Sequence, residues 1–365
     1  MNFRKTASVL VALSLMLCVF SQYASSMTVA EDFSAAAGEA AKSAAAAVLY
    51  DRTGKQLLFS KNADEKRAAG SLVKLVTAVT ALKYLPGNTV FTVGSELELV
   101  KPNSSLCFIY QGQRLSLEQL VYAMLLPSGN DAAYTVAVNT AKLVSKNSAL
   151  SDTAAVSYFC GLMNSRAKEI GAQNSHFVNP EGWDAENQYT TAADLAKICA
   201  AALENDIIST AVACQYKELY YASGEKNAWK NSNRMLDLSS PYYYKGAVGI
   251  KTGTTDAAGR CLAASAVKNS KQLIAVVLGC ETDEARYGAA AGLLNAGFME
   301  PPRGDYSGDF RITAADARYV LRAAVGLEAN TPVLLKRCDI DSDGILSASD
   351  ARSVLRIAVG LDAVG

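Results

Sequence analysis

The 365-residue sequence predicts an α+β fold: an antiparallel sheet assembled from N- and C-terminal segments around a helical subdomain, followed by a small all-α domain. Three observations predict it. Short apolar runs bounded by turn residues stand at both ends of residues 44–300, helical periodicity fills the stretch between them, and residues 301–365 contain an internal repeat.

In chain order, Ala46–Tyr50 and Gln56–Ser60 are apolar runs split by Asp51-Arg52-Thr53-Gly54, the pattern of a β-hairpin. Leu72, Leu75, Val76, Val79 and Leu82 then fall at helical spacing, predicting a helix from Ser71 to Leu82. Further helices are predicted over Leu117–Leu126, Ala132–Val144, Ala154–Ile170 and Ala192–Glu204. Strands return at Gly246–Lys251, Cys261–Val267 and Gln272–Leu278, the last two joined through Lys268-Asn269-Ser270-Lys271, and a helix follows from Arg286 to Leu294. Pro301-Pro302-Arg303-Gly304 marks a boundary. Beyond it, Asp316-Ala317-Arg318 and Val320-Leu321-Arg322 return 34 residues later as Asp350-Ala351-Arg352 and Val354-Leu355-Arg356, each copy an acidic loop leading into a short helix.

At the N-terminus, Arg4 and Lys5 precede the apolar run Ala7–Phe20 and the small residues Ala24, Ser25 and Ser26, which reads as a cleaved secretory signal over 1–26. The run is shorter than the roughly 20 residues that span a bilayer, and Cys18 lacks the small residue a lipid-attachment site places before it. Residues 27–43, rich in Ala, Ser and Glu, predict a flexible lead-in. The organisation is thus leader 1–26, lead-in 27–43, main domain 44–300 and repeat domain 301–365, in a secreted, extracytoplasmic protein. Seven cysteines outside the leader, an odd number at scattered spacings, make no disulfide framework and point to a reducing or anaerobic habitat.

Thirty-five basic against thirty-five acidic residues give zero formal net charge, so no nucleic-acid partner is expected. The single histidine, His176, excludes multi-histidine metal chemistry and leaves Lys, Asp or Glu as the source of a catalytic base. His176 lies far from every motif and reads as a surface residue, and Tyr242-Tyr243-Tyr244 as loop packing or the edge of a groove.

Three short motifs carry the chemistry. In Ser71-Leu72-Val73-Lys74 a hydroxyl and an amine share one helix face. Ser128-Gly129-Asn130 follows an apolar helix, and Lys251-Thr252-Gly253 closes an apolar strand that points Lys251 and Gly253 to one side. Each alone is ordinary; together, an S-x-x-K, an S-x-N and a K-T-G form a nucleophile set that needs no histidine. Lys74 becomes a base for Ser71 if burial and a neighbouring cation, for which Lys251 is the candidate, depress its pKa.

Through these motifs and the strings Leu125-Leu126-Pro127-Ser128-Gly129-Asn130-Asp131-Ala132-Ala133, Phe177-Val178-Asn179-Pro180-Glu181-Gly182 and Gly249-Ile250-Lys251-Thr252-Gly253-Thr254-Thr255, residues 44–298 resemble the D-alanyl-D-alanine carboxypeptidase family of low-molecular-mass penicillin-binding proteins. The resemblance implies a β-lactamase/transpeptidase-like fold and a serine carboxypeptidase acting on peptidoglycan stem peptides, acylated covalently by β-lactams and needing no catalytic cofactor. It implies Ser71 as nucleophile, Lys74 as base, Ser128 as proton relay and Asn130 as a partner for the substrate amide. Backbone N–H groups of Ser71 and Thr254 would form the oxyanion hole, and Lys251, Thr252, Gly253, Thr254 and Arg286, the last opening the final helix, would bind substrate and its carboxylate. Departures are Ala69, Gly70 and Val73 around the nucleophile, where the family often has Pro-Ala and an internal threonine. The family's β-rich second domain and amphipathic membrane tail also have no counterpart here. A β-lactamase is the enzymatic alternative, although no Glu-x-x-Leu-Asn string lies between Asn130 and Lys251; a non-turnover penicillin sensor is the other.

In the repeat domain, Asp339, Asp341, Asp343, Gly344, Ile345, Ser347 and Asp350 fit positions 1, 3, 5, 6, 7, 9 and 12 of a calcium loop, because clustered carboxylates repel unless a cation sits among them. Asp305, Ser307, Asp309, Thr313 and Asp316 repeat the set, but Phe310 replaces the turn glycine, so weak binding or distorted geometry is expected there. Two loop-helix repeats with aspartate at position 12 resemble a dockerin, which implies Ca2+ as ligand and a cohesin-bearing scaffold as partner.

Overall fold

The computed structural model describes residues 32–221 and 225–362. The leader, Cys18 and residues 27–31 lie outside them. The chain divides into two compact units, Gly38–Gly297 and Phe298–Gly365 together with the segment ending at Ala37.

The larger unit is built on a five-stranded antiparallel sheet of order β2-β1-β9-β8-β7. Its strands are β1 (Ala46–Asp51), β2 (Gln56–Lys61), β7 (Ala247–Thr255), β8 (Gly259–Lys268) and β9 (Lys271–Cys280), so the chain ends meet in one sheet as the sequence predicts. The β8–β9 turn places Asn269 and Ser270 at φ of 49° and 63°, the left-handed pair a two-residue hairpin requires. Between the sheet's halves run α2 (Val73–Tyr84), α3 (Leu117–Leu125), α4 (Asn130–Val144), α5 (Asp152–Ile170), α6 (Ala192–Ala202) and α7 (Asp206–Ala213), and α8 (Asp283–Gly297) follows the last strand. Nearly all of α2 is buried, Lys74 included, which makes it the central helix against which α4 to α6 pack. Ser116 opens α3 with a reciprocal capping box to Gln119.

Several elements differ from what the sequence predicts. Residues 32–40 form a helix, α1, in place of a flexible lead-in; Phe33, Ala37 and Ala41 are all buried at spacings of four, so a narrow stripe of mostly small residues suffices. Strand β7 runs on to Thr255, placing Lys251-Thr252-Gly253 inside the strand rather than at its end. Helix α8 begins at Asp283, so Arg286 lies within its first turn and does not open it. The two small hairpins β3–β4 (Val90–Thr92, Arg114–Ser116) and β5–β6 (Tyr216–Tyr220, Lys226–Lys230), and the short helix α7, are not foreseen from the sequence, because segments this short carry no legible period.

In the smaller unit, α9 (Ala314–Ala324) and α11 (Ala348–Ala358) are the repeated helices, with α10 (Pro332–Cys338) between them. The repeat is structural as well: Ala317 and Val320 in one copy and Ala351 and Val354 in the other line the same small core, and Thr313–Asp316 and Ser347–Asp350 form equivalent capping boxes.

Candidate active site

Gly70–Leu72 form a single 3-10 turn that feeds α2, leaving Ser71 half-buried at the helix start with Lys74 one turn on. The Nζ of Lys74 stands 2.8 Å from the Oγ of Ser71 and donates to the carbonyl of Glu181 at 2.9 Å. The amine is completely buried, and burial lowers its pKa from the usual 10.5 to about 7 against the opposing charges of Glu181 and Asp131. Near neutral pH a fraction of Lys74 is therefore a free base, and the same 2.8 Å separation then serves a Ser71 hydroxyl donating to it.

Close backbone packing sets this turn. Gly182 adopts φ +93°, and a side chain there would meet the Gly70 carbonyl at 1.9 Å. A side chain at Gly253 would lie 2.3 Å from the Ala69 carbonyl. The K-T-G strand and the Phe177–Gly182 segment thus touch the nucleophile turn backbone to backbone, which no other residue permits.

Lys251 is also completely buried, 3.4 Å from the Oγ of Ser232, which pairs in turn with the Oγ1 of Thr252 at 2.8 Å. Burial pushes its pKa well down, and the charges of Lys74 and Arg286 push it further. Of the two expected causes, burial is the one that depresses Lys74, and the Lys251 cation is not among the causes; the Lys74 charge acts on Lys251 instead. Arg286 reaches back to the strand, its Nη1 3.3 Å from the Oγ1 of Thr254 and 3.4 Å from the Gly253 carbonyl, with Asp283 paired to its Nη2 at 3.0 Å.

Ser128 sits between α3 and α4 at φ +70°, buried, and its hydroxyl has no hydrogen-bond partner among the described residues. Asn130 is the first residue of α4, with Gly129 rather than Ser128 at the cap, and its N–H donates to the Ser105 carbonyl at 2.8 Å. Its neighbour Asp131 is a buried carboxylate that accepts the N–H groups of Cys107 (3.0 Å) and Phe108 (2.9 Å), holding the loop beside the site. Asp131, Ser232 and the side chain of Glu181, whose Oε1 accepts from Tyr134 at 3.1 Å, receive no role from the sequence motifs. Their signal is tertiary, apart from the presence of Asp131 and Glu181 in the quoted strings. His176 lies elsewhere, bonded through its ring to the Asn187 carbonyl at 2.7 Å. Tyr242 stacks on Tyr287 and Tyr244 bonds Asn295, so the aromatic run is loop packing against α8. All seven cysteines of the described residues are free thiols, six of them buried.

In the smaller unit, carboxylate oxygens of Asp339, Asp341 and Asp343 lie within 4.8 Å of one another, an all-oxygen donor set that fits a hard cation. Asp350 is buried and accepts from the N–H of Ile340 (2.7 Å) and from the N–H and hydroxyl of Ser347 (both 2.9 Å), while Ile345 lies on the exposed rim. In the first copy, Asp305 is buried and accepts from Gly308 (2.6 Å), Phe310 (2.8 Å) and the Ser307 hydroxyl (3.0 Å), and burial raises its carboxyl to about 6. Asp309 bonds the N–H of Arg311, and Asp316 those of Ser307 and Thr313. The turn is not lost with the glycine: Phe310 holds φ +65° beside +88° for Gly344. Its buried ring stacks on Phe33 with centroids 4.2 Å apart, contact that offsets the left-handed strain.

Comparison with known proteins agrees with this geometry. Residues 33–282 match the family model described as Peptidase_S11, D-alanyl-D-alanine carboxypeptidase. The chain is 32% identical over 251 residues to a D-alanyl-D-alanine carboxypeptidase of a Streptomyces species, covering 66% of this chain and 82% of that protein. It is 29% identical to D-alanyl-D-alanine carboxypeptidase DacF of Bacillus subtilis and 33% to DacC of Escherichia coli, over 72% and 69% of this chain. The match spans less than two thirds of those two proteins, 64% and 60%. Among solved structures, a Streptomyces DD-transpeptidase superposes with a TM-score of 0.64 at 30% identity over 70% of this chain and 97% of that one. By sequence, fold and the arrangement around Ser71, this chain belongs to the D-alanyl-D-alanine carboxypeptidase family.

Proposed function

We propose that the protein is a serine-type D-Ala-D-Ala carboxypeptidase that removes the terminal D-alanine from peptidoglycan stem peptides. The observation that carries this is the buried Lys74 amine 2.8 Å from the Ser71 hydroxyl, a base made available near neutral pH without a histidine. Ser71 Oγ bonds to the carbonyl carbon of the penultimate D-alanine as its proton passes to Lys74. The amide C–N bond then breaks, Ser128 relays a proton to the departing D-alanine, and water cleaves the resulting ester. Backbone N–H groups of Ser71 and Thr254 serve the developing oxyanion. Asn130 receives the substrate amide, and Thr252, Thr254, Lys251 and Arg286 receive the terminal carboxylate, whose negative charge favours the protonated form of Lys251. The same serine is acylated by β-lactams, and no cofactor takes part.

A time course of the protein with a penicillin by intact mass, beside D-alanine release from a peptide ending in D-Ala-D-Ala, tests this. A long-lived adduct lost in Ser71→Ala, with D-alanine release, is the expected result. Rapid penicillin hydrolysis without D-alanine would mean a β-lactamase, and a stable adduct without peptide turnover a sensor.

We further propose that residues 301–365 are a dockerin-like module that binds Ca2+ through Asp339, Asp341, Asp343, the Ile345 carbonyl, Ser347 and Asp350, with a weaker site at Asp305, Ser307, Asp309, Thr313 and Asp316. It would hold the exported enzyme to a cohesin-bearing partner at the cell surface. The equivalent capping boxes and the oxygen cluster support this reading.

A further inference from the structure

The two N–H groups that serve the oxyanion belong to elements far apart in the chain, Ser71 at the head of α2 and Thr254 near the end of β7. Their spacing is therefore decided by packing. Gly70, at φ +54°, has no room for a side chain, because a Cβ there would stand 2.8 Å from the Thr254 nitrogen. Gly182 packs on the same turn, where a Cβ would meet the Gly70 carbonyl at 1.9 Å and the Ser71 nitrogen at 3.1 Å.

The segment that carries Gly182 is braced from within. The Asn179 side chain accepts from the Gly182 N–H at 2.9 Å and donates to the Trp183 carbonyl at 2.9 Å, and Gln188 donates to Asn179 at 2.6 Å. The carbonyls of Pro180 and Glu181 receive the Thr77 hydroxyl at 2.6 Å and the Lys74 amine at 2.9 Å, which fastens the segment to α2. Asp184, two residues after Gly182, reaches the strand instead. Its Oδ1 accepts the Thr255 hydroxyl at 2.6 Å and its Oδ2 the Ala257 N–H at 2.9 Å, while the Ala258 N–H donates to the same Thr255 hydroxyl at 3.0 Å. Both carboxylate oxygens thus close on the β7–β8 turn, starting at the residue that follows Thr254. One short segment grips the helix behind one donor and the turn behind the other.

We propose that Asp184 is a positioning residue that fixes the Thr254 N–H against the Ser71 N–H and so sets the width of the oxyanion hole. Donors stabilise the tetrahedral state to the extent that they are held in place beforehand, and removing one costs about a hundredfold to a thousandfold in rate. Loosening one costs less. The inference rests on the carboxypeptidase reading.

The test measures D-alanine release from an N-acetylated peptide ending in D-Ala-D-Ala, beside inhibition by the boronic-acid analogue of N-acetyl-D-alanine, whose tetrahedral adduct with Ser71 fills the oxyanion hole. In Asp184→Ala, kcat should fall about tenfold to a hundredfold with KM little changed, and boronate affinity should fall by a similar factor. Asp184→Asn, which keeps the acceptor for Thr255 but not the one for Ala257, should fall between. Thr255→Val should lose kcat in the same way, and the double variant should lose little more than Asp184→Ala alone, since both changes cut one strut. Removing a negative charge would by itself favour a developing oxyanion, so a slower Asp184→Ala reports lost geometry. An unchanged kcat in Asp184→Ala, a loss confined to KM, or losses that add in the double variant would overturn the proposal. If the parent protein neither releases D-alanine nor is acylated by a penicillin, the activity reading fails on its own. NMR relaxation of the Thr254 amide then decides the clamp: the amide must become more mobile in Asp184→Ala, and equal order in both proteins overturns it.

Discussion

The Lys74 ammonium nitrogen is held 2.9 Å from the backbone carbonyl of Glu181, 107 residues further along the chain. That contact aims the amine at Ser71 without neutralising it, because a carbonyl accepts a hydrogen bond but supplies no counter-charge. Burial is left to set the proton affinity, and the catalytic base follows from it.

The acylation rate should therefore rise with pH through about 7, where the Lys74 amine loses its proton, and fall about tenfold per pH unit below it. Stopped-flow acylation by a penicillin across pH 5 to 10 measures this. A rising limb above pH 9, the range of an ordinary lysine, would remove Lys74 as the base.

Glu181 is a positioning residue in this scheme: its charge opposes the effect of burial on Lys74. Glu181→Gln keeps the backbone carbonyl and a side-chain acceptor for Tyr134 but removes the charge, so the acid limb should move to lower pH. Acylation at pH 6 should then be faster than in the parent protein. A limb that stays in place would show that the carboxylate has no electrostatic influence on the base.

Lys74→Met should abolish acylation and raise stability near neutral pH. The sign follows from proton binding: the unfolded lysine titrates near 10.5 and the folded one near 7, so between these values the unfolded state holds the extra proton and stability rises with pH. The variant lacks that dependence. Its advantage, on the order of a few kcal/mol, should be greatest at pH 7 and below and vanish toward pH 10.5. Thermal unfolding of both proteins across that range decides it, and equal pH slopes would contradict a depressed Lys74.

Gly182→Ala should cut acylation by roughly two orders of magnitude and lower Tm, since the new Cβ falls 1.9 Å from the Gly70 carbonyl at a φ that alanine disfavours. Gly161→Ala is the contrast: it lies within α5, and a Cβ added there meets nothing within 4 Å. That variant should stabilise by about 0.5–1 kcal/mol and leave acylation alone. Equal behaviour of the two variants would refute the close-approach argument.

Calorimetric titration of the full chain with Ca2+ should show one site lost in Asp341→Asn, and a weaker one sensitive to Asp309→Asn. D-alanine release should be the same in all three proteins. Absence of any Ca2+ binding would end the dockerin-like reading.

The features legible in the chain before it folds are local or repeated: the S-x-x-K, S-x-N and K-T-G strings, the helical face of α2, the strand pattern at both chain ends, and the 34-residue repeat. Hydrophobic period and motif spacing act over a few residues, which is why these could be read directly. Three-dimensional packing was needed to establish that Lys74 and Lys251 are both dry, that burial rather than a neighbouring cation sets the base, and that Glu181 and Asp131 orient the machinery. It was needed equally to show that Phe310 keeps a glycine-like turn by stacking on Phe33. Desolvation depends on everything packed around a group, and contacts between residues 107 positions apart leave no mark on the spacing of either.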